Sequence, residues 1–342
     1  MAAAKKKGLV VGTGSIGERH TRCILTTNRA EVSICEINDN QRKKVANKYK
    51  IKHSYADFTL ALEAGHDAIV IATPAHLHIP MAQQAAESGL HLLIEKPLSI
   101  SLAGIDHLDR TIRERKLVAG VAYVLRHIPV LAAMKKALYS GRFGRPLHIT
   151  VIRGQHFPTY RPEYREIYYA SHATGGGAIQ DGLTHLINFV SWLAGPVERL
   201  VADCAHQVLA GVEVEDTVNV LTRHGDALAC FSMNQYQAPD EGVITVVCER
   251  GTLQSEIHSN RMRWMTEPET EWQEESWPDF ERDHAFISQA NCFFDAIDGK
   301  GEMPCNLSEA RHTLECILAI LEASRDSANW KILRPYTGGP KP

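Results

Sequence analysis

Asp181 and His185 stand four residues apart in a stretch where Leu183, Leu186, Ile187, Val190 and Leu193 recur at helical spacing. On a helix from about 178 to 194 these apolar residues fall on one face, and Asp181, His185 and Asn188 share the opposite one at i, i+4 and i+7. A carboxylate and an imidazole placed in this way can reach one site together, and an imidazole can move a proton near neutral pH. Spacing alone fits a polar stripe turned to solvent equally well. A third candidate, Lys96, lies in Glu95-Lys96-Pro97 directly after the apolar run His91-Leu92-Leu93-Ile94. A lysine there is by itself an ordinary surface cation.

The run Gly12-Thr13-Gly14-Ser15-Ile16-Gly17 follows the apolar strand Leu9-Val10-Val11 and precedes a segment able to form a helix. In that context Gly12 permits a tight turn, Gly14 lets the backbone approach a pyrophosphate, and Gly17 allows close helix–strand packing. The free N–H groups of the helix start then hold phosphate. The next strand, Val32-Ser33-Ile34-Cys35, ends at Glu36, about 20 residues after the loop, where an acid hydrogen-bonds the adenosine ribose hydroxyls. A carboxylate there repels a 2′-phosphate, and the neighbouring Ile37 and Asn38 supply no arginine to offset it. The reading is NAD rather than NADP.

The elements that must position these residues alternate up to about residue 125. GLVVG, EVSICE, DAIVIAT, HLLIEKP and LVAGVAY are separated by helix-like stretches, which is the pattern of a doubly wound parallel sheet. Beyond about residue 145 come PLHITVIR, ERLVADCAHQV, DTVNVLTR, ALACFSMNQY, VITVVCE and RMRWM, with turn signals such as His224-Gly225-Asp226 between them. The expected fold is therefore α/β: a nucleotide-binding domain over 1–125, then an α+β domain over 126–342 with a mostly antiparallel sheet. Helices are expected near 178–194, 284–297 and 308–325.

The chain has 342 residues, 44% of them hydrophobic, and a formal net charge of −3, which leaves no electrostatic footprint for nucleic acid or an anionic membrane. The eight cysteines are scattered without a C-x-x-C pair and read as reduced, buried thiols. Lys5-Lys6-Lys7 precedes an apolar run that Gly12, Gly14 and Gly17 break at once, so neither a signal peptide nor a membrane span is expected. The expected location is the cytoplasm. His76 and His78 are one residue apart, and His185 has only Asp181 nearby; with no H-E-x-x-H and no cysteine cluster, no catalytic metal is expected.

Taken together, the glycine loop, Thr73-Pro74 after the third alternating strand, His78, and Glu95-Lys96-Pro97 resemble the Gfo/Idh/MocA family, named for glucose-fructose oxidoreductase, inositol 2-dehydrogenase and a rhizopine-catabolism protein. Later landmarks are Arg126 in VLRHIP, Gly144, and GGGAIQDGLTHLINFVSWLAG over 175–195. Ala75 departs from the pattern, where the family often has Asn. The resemblance implies a Rossmann domain joined to a domain with a large open sheet, NAD as cofactor, a sugar, inositol or sugar-acid substrate, and a homo-oligomer, dimer or tetramer, formed through the open sheet.

It also implies an aspartate and histidine dyad facing the nicotinamide. His185 is then the general base for alcohol oxidation, with a pKa near neutral. Asp181 orients it or shares the substrate hydroxyl, and Lys96 stabilises the developing alkoxide. The cofactor side takes Gly12, Thr13, Gly14, Ser15, Ile16, Gly17, Glu36, Thr73, Pro74, His78, Glu95, Lys96 and Arg126. The substrate side takes Lys96, Tyr123, Arg161, Tyr164, Arg165, Asp181 and His185. The stretch RGQHFPTYRPEYREIYYASH over 153–172 reads as a loop with little core character. It is either a surface or subunit contact or a substrate lid, in which Arg161 or Arg165 pairs with a carboxylate or phosphate. Two alternatives stay open: a non-redox enzyme that keeps NAD bound and cleaves or epimerises through transient oxidation, and a regulatory protein on an inactive dehydrogenase fold.

Overall fold

A computed structural model describes residues 5–266 and 271–324. In its first half, β1 (Lys6–Val11), β2 (Ala30–Cys35), β3 (Ser54–Tyr55), β4 (Ala68–Ile71), β5 (His91–Ile94) and β6 (Ala119–Val121) form one parallel sheet. They alternate with α1 (Ser15–Thr27), α2 (Asp39–Tyr49), α3 (Phe58–Glu63), α4 (His78–Glu87) and α5 (Ile105–Glu114). The strand order β3-β2-β1-β4-β5-β6 puts the reversal of winding between β1 and β4, so the crevice at their carboxyl ends is the ligand site of such a sheet. Both faces are covered, which is why these strands are nearly continuous apolar runs: Leu9, Ile69, Ile71, Leu92 and Ile94 are all fully buried.

The second half begins with α6 (Pro129–Leu138), β7 (Pro146–His156) and α7 (Phe157–Tyr160). After α8 (Thr184–Ala194) come β8 (Arg199–Ala205), β9 (Thr217–His224), β10 (Ala227–Asn234), β11 (Tyr236–Cys248), β12 (Gly251–Glu256), β13 (Arg261–Thr266) and β14 (Gln273–Ser276). These eight strands form one sheet in the order β14-β13-β12-β11-β7-β10-β9-β8. Every pairing is antiparallel except β7 with β10. One face packs Ile149, Val151, Val220, Phe231 and Ile244 against Val130, Met134, Ile187 and Val190 of α6 and α8. The other leaves Ile152, Val201, Leu221 and Leu228 exposed. β12 escaped the strand reading because its inward residues are Leu253 and Ser255, both fully buried, so the face that packs is half polar. β14 is a short edge strand of exposed polar residues, an end that discourages further pairing.

The last described helices, α9 (Arg282–Ile297) and α10 (Leu307–Ala323), return to the first sheet. Ala290, Phe293 and Phe294 of α9 join the core of Val10, Ile34 and Val70, while Leu307, Ala310 and Leu314 join that of Leu9, Ile71 and Leu92. Further along α10, Cys316, Ile317 and Ile320 enter the core of the second sheet. A chain cut at residue 126 therefore does not cut the packing, because one helix serves both cores. Residues 325–342 of the expected second domain lie outside the described residues.

All eight cysteines are unpaired with one another, five of them buried. Among the described residues no helix is long and apolar enough to cross a membrane, and no group of three or more His, Cys, Asp and Glu side chains could hold a metal ion.

Candidate active site

The glycine loop closes against the carboxyl end of β4, where Ala72 follows Ile71. Gly12 has φ +80°, and a Cβ on it would stand 2.6 Å from the Ala72 carbonyl oxygen. A Cβ on Gly17 would stand 1.8 Å from the Gly12 oxygen, so α1 leaves the loop at a distance only glycine permits. Above Gly14 a Cβ would meet nothing within 4 Å, and no side chain caps α1. The first-turn N–H groups of Ser15, Ile16 and Gly17 thus face an open cradle fit for a pyrophosphate.

Glu36 fastens this loop. Its carboxylate accepts from the Thr13 N–H at 2.8 Å, the Thr13 hydroxyl at 3.3 Å and the Asn38 N–H at 2.9 Å. A carboxylate offers about four acceptor positions, so room remains for a ribose hydroxyl. Thr13 itself is fully buried and works as the clamp of the loop. One expectation needs correction: an arginine does lie close, since Arg42 on α2 donates to the Glu36 carbonyl at 2.8 Å. Its other arm is paired with Asp39, so both ends of the guanidinium are taken within the protein.

Thr73 and Pro74 form the rim after β4, and Glu95 and Lys96 the rim after β5. His78 is buried and set between them, Nε2 2.8 Å from the Thr73 carbonyl and Nδ1 2.9 Å from that of Pro97. It braces the two rims and does not reach into the crevice, and burial pushes its pKa down. Glu95 is also buried, 2.6 Å from His20 of α1, while its second oxygen accepts the Lys96 N–H at 3.0 Å.

Over this rim hangs the segment that carries Asp181. Ala178–Leu183 is a π-helix, followed by α8. A π turn widens the i, i+4 relation, and such turns recur at functional sites. Lys96 Nζ donates to Asp181 Oδ1 at 2.8 Å and to its carbonyl at 3.0 Å. Tyr168 OH donates to the same Oδ1 at 2.7 Å, and Arg161 to the Tyr168 oxygen at 2.9 Å. Burial alone would raise the Asp181 carboxyl, but the charges of Lys96 and Arg161 outweigh it and hold the group far below the usual carboxylate range. Burial would lower Lys96, yet Asp181 raises it above its ordinary value. The site thus contains a closed ion pair.

His185 sits beside this pair, its ring edge-on to Tyr123 with centroids 5.9 Å apart. No hydrogen bond joins Asp181 to it: Lys96 and Tyr168 both meet Asp181 through Oδ1, and Nδ1 of His185 is buried without a partner. Burial, then the Lys96 charge, push the imidazole down to about 3. The expectation of a near-neutral base is therefore corrected for the free site.

Several expected site residues are drawn elsewhere by packing. Asn188 does not share an open polar face: it is buried and accepts from Arg126 Nε at 2.9 Å. Arg126, expected at the cofactor, also meets Glu309 at 2.9 Å and so pins α8 and α10 together. Tyr123 is buried with its hydroxyl 2.9 Å from that of Thr184. Tyr164, expected at the substrate, packs with Phe157, Tyr169, Leu209 and Val214 in a small core of its own, so the stretch 153–172, read as a loop with little core character, contributes three buried aromatic rings. Arg165 is exposed, stacks on Tyr164 and donates to the Ala210 carbonyl, away from Asp181. Arg161 is the arginine of that stretch that reaches the site. Tyr168 was missed; it was one of four tyrosines in the stretch, and nothing in the spacing singled it out.

Comparisons with known proteins identify the family. Residues 6–123 match the family model described as an oxidoreductase family with an NAD-binding Rossmann fold, and residues 131–254 match the GFO/IDH/MocA C-terminal domain. The chain is 28% identical over 166 residues to a levoglucosan dehydrogenase of Pseudarthrobacter phenanthrenivorans, covering 47% of this chain and 42% of that one. It is 28% identical over 143 residues to the scyllo-inositol 2-dehydrogenase (NAD(+)) of Bacillus subtilis, covering 41% and 42%. The matched stretch thus spans less than half the length of these relatives. The fold is shared with the WlbA dehydrogenase from Bordetella pertussis, solved in complex with NADH and UDP-GlcNAcA, at a TM-score of 0.84 and 24% identity over 96% of this chain and 98% of that one. With its glycine cradle, its Glu-Lys-Pro rim and matches across both halves, the chain belongs to the Gfo/Idh/MocA family of oxidoreductases.

Proposed function

We propose that the protein is an NAD-dependent dehydrogenase acting between a secondary alcohol and a ketone of a sugar, inositol or sugar acid. The observation that carries this reading is the Lys96–Asp181 pair at 2.8 Å, set beside His185 above the carboxyl end of the parallel sheet. Named relatives acting on levoglucosan and scyllo-inositol support the substrate class.

Gly14 and the first turn of α1 would hold the pyrophosphate, and Glu36 the ribose hydroxyls. A bound NAD would supply the hydride acceptor for oxidation of a carbinol carbon and, as NADH, the donor for the reverse. The Lys96 ammonium, fixed by Asp181, stabilises negative charge on the substrate oxygen. His185 is neutral across the ordinary pH range and so in the form that accepts a proton. It is placed to take the hydroxyl proton as the carbon is oxidised, when that hydroxyl becomes acidic. Tyr168 and Arg161 hold Asp181 ionised from the substrate side.

The exposed apolar residues Ile152, Val201, Leu221 and Leu228 favour a homo-oligomer through the second sheet, and the buried thiols Cys23, Cys35, Cys248, Cys305 and Cys316 suit a reducing compartment such as the cytoplasm. Sedimentation that shows only monomer at micromolar concentration would count against the oligomer.

The functional test is NADH absorbance with NAD or NADP and a panel of inositols, aldoses, uronic acids and sugar phosphates, with Lys96→Ala and His185→Ala alongside. One compound should reduce NAD, and both variants should be silent. Bound NAD with no net NADH from any compound would overturn net dehydrogenation in favour of an internal redox cycle.

A further inference from the structure

Glu215, just ahead of β9, is only 5% exposed and joins two separate segments. Its Oε1 accepts the Ile179 N–H at 2.8 Å, and its backbone carbonyl accepts the Ala178 N–H at 3.0 Å. Its Oε2 lies 2.5 Å from Nε2 of His172. The approach depends on Gly177, whose φ is +89° and where a Cβ would stand 2.5 Å from Glu215 Oε1. The next residue makes a firm mount, since buried Asp216 accepts the N–H groups of Gln207, Val208 and Leu209 at 3.0, 2.7 and 2.9 Å.

The two segments held are those that carry Asp181 and its hydrogen-bond donor Tyr168. Ile179 stands two residues before Asp181 in the π-helix, and His172 four residues after Tyr168. The turn of His172 is tied back to Tyr168 by the Thr174 hydroxyl, 2.6 Å from the Tyr168 carbonyl. The first N–H groups of a helix have no acceptor within it, so those of this π turn take theirs from outside.

We propose that Glu215, together with His172, is a positioning residue for the reaction: it sets the distance between Asp181 and Tyr168, and through Asp181 the place of the Lys96 ammonium. The inference rests on the catalytic reading of Lys96 and Asp181, but its test does not depend on that reading alone.

Glu215→Ala, Glu215→Gln and His172→Ala are made in the full chain. Amide hydrogen exchange is followed by mass spectrometry, NADH affinity by fluorescence, and kcat and KM with any compound that turns over. In Glu215→Ala, exchange over 168–183 should rise at least tenfold, kcat should fall at least tenfold, and the Kd for NADH should stay within twofold. Glu215→Gln, which keeps an oxygen for Ile179, should recover most of the kcat, and adding Tyr168→Phe to Glu215→Ala should cost little more. Unchanged exchange over 168–183 in a folded variant overturns the proposal, as does a rise spread evenly over the whole chain with NADH affinity lost in proportion. Should Glu215→Ala fail to fold, His172→Ala, whose side chain is 35% exposed, carries the same comparison. Should no compound turn over, the dehydrogenase reading is in question while the exchange data still decide this one.

Discussion

Replacing Lys96 by methionine removes the ammonium 2.8 Å from Asp181 in a pair whose side chains are 12% and 9% exposed. The stranded carboxylate keeps the Tyr168 hydroxyl and the more distant Arg161 charge, so part of its stabilisation survives. Breaking a buried pair costs roughly 3–5 kcal/mol, and with two supports left the lower end, about 3 kcal/mol, is expected for Lys96→Met at pH 7. The double variant Lys96→Met/Asp181→Asn strands no charge and should lie within about 1.5 kcal/mol of wild type. Because the folded Asp181 pKa is depressed, its contribution is present above the unfolded value near 4 and is lost as pH falls through the folded one. Lys96→Met raises that folded pKa, so the gap between variant and wild type should be wider at pH 7 than at pH 4. Urea unfolding followed by tryptophan fluorescence at both pH values measures each difference. A Lys96→Met protein within about 1 kcal/mol of wild type at pH 7, or a double variant as unstable as the single, would refute the argument from a buried charge pair.

Gly17→Ala, whose Cβ would stand 1.8 Å from the Gly12 oxygen, should abolish NADH binding by fluorescence titration even where soluble protein is recovered; retained affinity would show that the loop can widen. Glu36→Gln should weaken NADH about tenfold while NADPH loses less, because a charge-assisted hydrogen bond contributes roughly 1.5–3 kcal/mol; equal losses would remove Glu36 from the ribose. His185 has a folded pKa of about 3 against about 6.5 unfolded, so the unfolded chain binds the extra proton between those values and stability falls as pH drops through that window. From pH 7.5 to 5 the loss from this group should be about 1–2 kcal/mol, and His185→Asn should flatten the curve by that amount; an unchanged curve would mean that His185 titrates normally. Arg161→Ala should impair turnover of uronic acids or sugar phosphates more than that of neutral sugars, whereas Arg165→Ala should affect neither, and the reverse order would return the anion contact to Arg165.

The glycine loop and the acid Glu36 were legible in the sequence because each belongs to a local unit, a strand with its turn and the following helix start, whereas Lys96 stood out only through the family resemblance. The roles of Gly12 and Gly17 follow from backbone geometry within six residues. Arg126, Tyr123 and Tyr164 were read as site residues and Asn188 as part of an open polar face, and the structure spends their polar atoms on neighbours far off in sequence. Arg126 meets Glu309, and Tyr164 the carbonyl of Ala210. The π turn at 178–183 was also hidden, since the apolar spacing after it is that of an α-helix and gives no sign of one extra residue in the turn.

The sequence by itself determined the parallel nucleotide-binding sheet and the glycine turn that opens it, since these follow from short-range geometry and hydrophobic period, whereas Lys96, Asp181 and His185 were singled out through the family resemblance. Only the tertiary structure decided which of those residues meet. Long-range burial made Asp181 the partner of Lys96 and Tyr168 rather than of His185, left His185 neutral beside a buried ammonium, and turned Arg165 away while keeping Arg161. The physical reason is that a buried polar atom bonds to whatever the packing of distant segments brings within about 3 Å, and no spacing along the chain records that choice.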